Sequence, residues 1–204
     1  GREIVCFSIS AGMSTSGNVM RLAAEELGAS DRIKVIDSAN LSTGIGLLVV
    51  EAAIMAKNNR TASQIVSEIE RLKPNVRASF VVDTLTYLYR GGRCNAVAAM
   101  AGGVLKLHPR IVVEDGAMNA SKKYRGKIAS VVMNYVKDME KDLKKARPER
   151  VFITHSGCEQ ETVEKVRAYL KELDIFDEIL ETRAGGVVSS HCGPGTLGVL
   201  YIAK

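Results

Sequence analysis

The residues with most capacity for chemistry stand near the end of the chain, in Ser189-Ser190-His191-Cys192-Gly193-Pro194-Gly195. An imidazole, neutral or protonated, donates to a carboxylate. The Gly-Pro-Gly beside it makes a rigid backbone that a ligand approaches closely. A tight turn carrying a surface histidine is the plainer reading. A second stretch, Ser8-Ile9-Ser10-Ala11-Gly12-Met13-Ser14-Thr15-Ser16-Gly17-Asn18, links an apolar run to a helix-forming one. Backbone N–H groups and the helix dipole there favour an anion, and Ser14, Thr15 and Ser16 add hydroxyl donors. Helix capping alone explains the same residues. Neither the Gly-Lys-Ser/Thr of a Walker loop nor G-x-G-x-x-G is present. A third stretch, Tyr87-Leu88-Tyr89-Arg90-Gly91-Gly92-Arg93, sets two arginines around a glycine pair. It reads either as a helix C-cap or as a basic corner for phosphate or a partner protein. His155-Ser156-Gly157-Cys158 offers a nucleophile but fixes no base or orienting acid by its spacing. His108, before Pro109, reads as structural.

The elements that must hold these segments alternate strand and helix. Strands are expected at Ile4 to Ile9 and Ile33 to Ile36, and helices after the Ser/Gly-rich stretch Ser10 to Gly17 through Gly28, over Gly44 to Ala56, and over Thr61 to Leu72 with Thr61 as N-cap. That alternation indicates parallel βαβ units. After Pro74-Asn75 the texture changes. A strand is expected at Ala78 to Val82, helices at Thr84 to Arg90 and Asn95 to Lys106, and a hairpin over Arg110 to Glu114 and Ala117 to Lys122 around Asp115-Gly116. A long amphipathic helix, Lys127 to Arg147, follows. Then come strand Val151 to Thr154, helix Glu159 to Leu173, strand Glu178 to Glu181, the closing loop, and strand Leu197 to Ala203. The expected fold class is α/β: a parallel-sheet N-terminal part over residues 1–75 and a mixed α+β C-terminal domain over 76–204.

Of 204 residues, 46% are apolar and 25% charged, with a net charge of +5. This is an ordinary globular balance. The positive excess is small and scattered, and with no Trp and 5% aromatics it argues against nucleic acid. The four cysteines, Cys6, Cys94, Cys158 and Cys192, form no CxxC pair, which speaks against a zinc site or disulfide framework. Cys6 reads as a small core residue. No run of about 18 apolar residues suggests a membrane span, and a cytoplasmic location is expected. Gly1 enters a strand almost at once, so an upstream segment is expected.

Five segments, in order, resemble the DegV family of fatty-acid-binding proteins. Ile9 to Ser16 looks like its I-S-S-x-L-S-G-T. Val35-Ile36-Asp37-Ser38 with Gly44-Ile45-Gly46 is similar to V-I-D-S…G-x-G. Phe80-Val81-Val82-Asp83-Thr84-Leu85 through Gly91-Gly92-Arg93 resembles F-V-V-D-T-L…G-G-R. Tyr124-Arg125-Gly126-Lys127 resembles R-G-(K/R), and His191 to Gly198 resembles H-T-G-P-G-A-L-G. Two departures stand out: Thr15 replaces a family glycine, and the family's early Thr-Ser-Gln-Pro segment has no counterpart after Gly1.

The resemblance implies a bacterial two-domain protein that buries a long-chain fatty acid between its domains and performs no chemistry of its own, with no cofactor and no metal. It assigns the carboxylate to Ser14 and His191, with Arg125 nearby, and the supporting loops to Ser10, Thr15, Ser16 and Gly193. It makes a fatty acid kinase the partner, facing Arg90 and Arg93. Leu47, Val50, Ile54, Val97 and Met100 are candidate tunnel walls, though apolar helix positions are more often ordinary core. Two other classes stay open: an acyl hydrolase or transferase using Cys192 or Cys158 with a histidine, and a phosphate- or nucleotide-binding module using the Ser10 to Gly17 loop.

Overall fold

A computed structural model describes residues 2–93 and 107–204. The expected helix Asn95 to Lys106, with Cys94, Val97 and Met100, lies outside the described residues. The chain divides into two compact units, one of residues 1–76 with 115–117, the other of 77–114 with 118–204.

In the first unit, β1 (Ile4–Ser8) pairs in parallel with β2 (Ile33–Asp37), Ile4 opposite Ile33 and Ser8 opposite Asp37. Helices α1 (Ser16–Glu26), α2 (Ser42–Lys57) and α3 (Ala62–Leu72) complete it. Apolar spacing accounts for α3: Ala62, Ile65, Ile69 and Leu72 fall on one face and are buried. Its start is fixed by a capping box in which Thr61 accepts from the Gln64 amide and the Gln64 side chain accepts from the Thr61 amide. In α2, Leu47 and Leu48 are fully buried, Val50 is half-buried, and Ile54 is 43% exposed. Leu47 is thus a core residue, and Ile54 stands at the surface of its unit.

The second unit is built on a six-stranded mixed sheet in the order β5-β4-β3-β8-β6-β7. Its strands are β3 (Val76–Val81), β4 (Leu107–Glu114), β5 (Ala117–Arg125), β6 (Ala146–Ser156), β7 (Glu178–Arg183) and β8 (Thr196–Ala203). β6 runs parallel to β7 and antiparallel to β8. The β4–β5 turn has positive φ at both Asp115 (49°) and Gly116 (74°), the conformation for which Asp-Gly is the preferred pair. Helices α4 (Thr86–Gly91), α5 (Ile128–Asp138), α6 (Glu140–Leu143), α7 (Gln160–Glu172) and α8 (Gly186–Cys192) complete the unit. Val131, Tyr135 and Val136 of α5 and Val163, Val166 and Leu170 of α7 share one buried cluster with Val151, Ile153, Leu197 and Val199.

Three expectations give way to the structure. The helix expected over Lys127 to Arg147 ends by Leu143, and Ala146 and Arg147 already belong to β6. Ala146 pairs with Ala203, with a register shift in the ladder between Ala146 and Val151, so sheet pairing overrides a helix-favouring composition. The closing segment is not all loop, since residues 186–192 are helical and only Gly193-Pro194-Gly195 turns the chain into β8. Cys6 is half-buried rather than a full core residue. Among the described residues, no helix is long and apolar enough to cross a membrane.

Candidate functional site

In the first unit the serine-rich loop between β1 and α1 is held by the loop after β2. The Asp37 carboxylate accepts from the Ala11 amide at 3.2 Å and from the Ala39 amide at 2.9 Å. The Ser10 amide donates to the Asn40 carbonyl at 2.9 Å. The buried Ser10 hydroxyl donates to the Gly116 carbonyl at 2.6 Å and accepts from the Gly12 amide. Ser10 therefore braces its loop and has its own hydrogen committed. Ser14 is half-buried; its Oγ accepts from the Ser16 amide at 3.2 Å and shares a 2.8 Å hydrogen bond with the Ser16 hydroxyl. Thr15 is the N-cap of α1 without a side-chain capping bond, and both Thr15 and Ser16 are exposed. Ser14 to Ser16 thus set hydroxyls beside the first turn of α1, where helix amides favour an anion.

Asp37 and Asn40 were not singled out as functional from sequence. Their signal is an Asp-Ser-x-Asn run, since Asx and Ser side chains bond the backbone two residues on. Asp37 to the Ala39 amide and Ser38 to the Asn40 amide are bonds of this kind. A separate groove of 310 Å³ runs along β2, lined in part by Arg21, Glu25, Lys34 and Glu70.

In the second unit, His191 lies in the last turn of α8, half-buried, and Gly193 follows as its C-cap with φ at 77°. Arg90 and Arg93 are exposed at the end of α4, and Arg93 Nη1 donates to the Gly91 carbonyl at 2.7 Å. Arg125 ends β5 and is exposed. Beside it the Gly126 carbonyl lies 3.0 Å from His108 Nε2, while His108 Nδ1 lies 3.5 Å from the Asp83 carboxylate. His108, read as structural, is buried between those two acceptors. Ser14 belongs to the first unit, and Arg90, Arg93, Arg125, His191 and Gly193 to the second.

The thiols of Cys158 and Cys192 are poor nucleophiles. Burial pushes Cys192 up to about 12. Burial, with Glu159 beside it, pushes Cys158 up to about 11, and the Cys158 thiol donates to the Thr196 carbonyl. A nucleophilic cysteine needs a lowered pKa. His155 is turned instead to Glu181, at 3.3 Å, and Glu181 is also bound by Arg167. From an ordinary value of 9.0 for both thiols, the thiolate fraction at pH 8 falls about 100-fold at Cys158 and about 1000-fold at Cys192. Alkylation at pH 8, located by peptide mass mapping, is therefore expected to be slower by those factors in the native protein than in urea. Rates that match in both solvents would contradict the burial of these thiols. Among the described residues, no group of three His, Cys, Asp or Glu side chains is placed to hold a metal ion.

A six-stranded mixed sheet and a small parallel pair, with glycine- and hydroxyl-rich motif loops at their helix ends, define a two-unit α/β protein. The family model described as "Uncharacterised protein, DegV family" matches residues 1–204, and the chain belongs to the DegV family. A DegV domain-containing protein of Deinococcus radiodurans is 32% identical over 198 residues, covering 97% of this chain and 69% of the relative. A Thermus thermophilus structure, described as fatty acid binding of a DegV family protein, superposes with a TM-score of 0.89 at 26% identity, covering 100% of this chain and 72% of that one. A Streptococcus pneumoniae structure, described as fatty acid kinase B3 protein loaded with linoleic acid, superposes at 0.85 with 20% identity, covering 100% and 73%. This last likeness is one of fold.

Proposed function

We propose that this protein binds a long-chain fatty acid and carries it without chemical change. The carboxylate is held by Ser14 and His191, with Arg125 nearby and Ser10, Thr15, Ser16 and Gly193 shaping the two loops. The reading is supported by a hydroxyl cluster at the first turn of α1 in one unit and a histidine in the last turn of α8 in the other, in a family whose Thermus thermophilus relative is described as binding fatty acid.

The energetics suit it. Burying each CH₂ contributes about 0.8 kcal/mol, so the tail supplies most of the affinity. The head group needs donors because an unpaired buried carboxylate is costly. The raised thiol pKa values speak against the acyl hydrolase or transferase alternative. We take residues 1–75 and 76–204 as the two domains. The finer part of the proposal is that the protein works in the cytoplasm and presents the carboxylate to a fatty acid kinase that faces Arg90 and Arg93.

Mass spectrometry of lipid extracted from purified protein tests the binding. A stoichiometric long-chain fatty acid is the expected result. Protein that carries no fatty acid and takes up none on incubation would contradict it. Phosphorylation of bound fatty acid by an added kinase, weakened by Arg90→Ala and Arg93→Ala, tests the partner.

A further inference from the structure

Helices α4 and α8 interlock through two glycines. A Cβ placed on Gly91 would lie 2.0 Å from His191 Nδ1, 2.8 Å from Cε1 and 3.1 Å from Cγ. The imidazole thus occupies the space where any other residue's side chain would begin. In return, a Cβ on Gly193 would lie 2.3 Å from Cδ2 of the Tyr87 ring. Each helix therefore lays a ring on a glycine of the other. The Gly91 carbonyl also holds the Arg93 guanidinium at 2.7 Å. One residue without a side chain meets both the histidine of the last helix and an exposed arginine of the Gly-Gly-Arg corner.

We infer that Gly91 is a positioning residue for His191, setting the imidazole's orientation toward a carboxylate and joining it to the arginine corner. The inference rests on the reading of His191 as a head-group ligand. Gly91 lies within α4, and the left-handed cap is Gly92 at φ 64°. Alanine at position 91 is therefore acceptable to the backbone and is the better helix former. What it disturbs is the imidazole.

The test is palmitate affinity, by titration, for the wild-type protein, Gly91→Ala, His191→Ala and the double variant. A hydrogen bond to a charged group corresponds to roughly 10- to 100-fold in affinity. Gly91→Ala is expected to weaken binding by a factor in that range, and the double variant to bind no worse than His191→Ala alone. The His191 ring resonances are expected to shift in Gly91→Ala by NMR, a readout independent of binding. Wild-type affinity in Gly91→Ala beside a weakened His191→Ala would overturn the inference and leave the head-group reading intact. Losses that simply add in the double variant, or unmoved ring resonances, would overturn it too. Wild-type affinity in His191→Ala would remove the head-group reading and this inference together. A circular-dichroism melt checks that Gly91→Ala folds; should it not, Tyr87→Ala, which uncovers Gly193 from the other side, is expected to weaken palmitate binding in the same range, and unchanged affinity there would count against the interlock.

Discussion

His191→Ala is expected to weaken palmitate binding by about 10- to 100-fold, the worth of one hydrogen bond to a charged group. The loss should fall on the head group and not on the tail. Shortening the acid by two CH₂ groups should cost wild type and variant the same factor, because the tail contributes by burial alone. His191→Gln, which keeps a donor, should recover part of the loss. The fold should not suffer, since His191 is half-buried at the last turn of α8. Titration of both variants with acids of two lengths checks this. Unchanged affinity in His191→Ala would remove His191 from the site.

The second large effect is on stability. Tyr135 comes from α5, is fully buried, and its hydroxyl donates to the Ser79 carbonyl at 2.7 Å while accepting from the Val199 amide at 3.0 Å. Ser79 lies on β3 and Val199 on β8, neighbours in the sheet. One phenol thus serves two backbone groups in the middle of a six-stranded sheet, and its burial also raises its pKa. Tyr135→Phe keeps the ring packing and strips both backbone groups of a partner. Leaving a buried polar group unsatisfied costs about 1–3 kcal/mol, so a loss of about 2–4 kcal/mol in the second unit is expected. Hydrogen exchange reads it most locally. The Val199 amide should exchange far faster in the variant, together with neighbouring β8 amides. Wild-type protection at Val199 would show that the phenol does not hold this strand.

Much of the fold was legible in the sequence because its local signals agree with its tertiary contacts. Thr61 as N-cap marks the start of α3, and Asp115-Gly116 marks a hairpin turn whose φ values match it. Two elements were misread for opposite reasons. Lys137 to Lys145 is rich in helix formers, yet the sheet claims Ala146 as a partner for Ala203. Residues 186–192 are mostly poor helix formers, yet they form α8, which packs against α4. Tertiary packing decides both cases.

The candidate site divides the same way. The hydroxyls of Ser14 to Ser16 and the histidine could be named from residue type and the ordered motifs. The bracing role of Ser10, the carboxylate of Asp37 and the glycine under His191 depend on contacts between residues 26 to 106 positions apart, which no local pattern reveals.

Under the proposed function, this protein recognises a long acyl chain through its carboxylate. Equilibrium titration of the wild-type protein with palmitate and with hexadecanol, equal in chain length and different only at the head, tests it most directly. Saturable palmitate binding is expected, with at least roughly tenfold weaker binding of the alcohol, the minimum for one lost charge-assisted hydrogen bond. Equal affinity for the two, or no binding of palmitate, would contradict it.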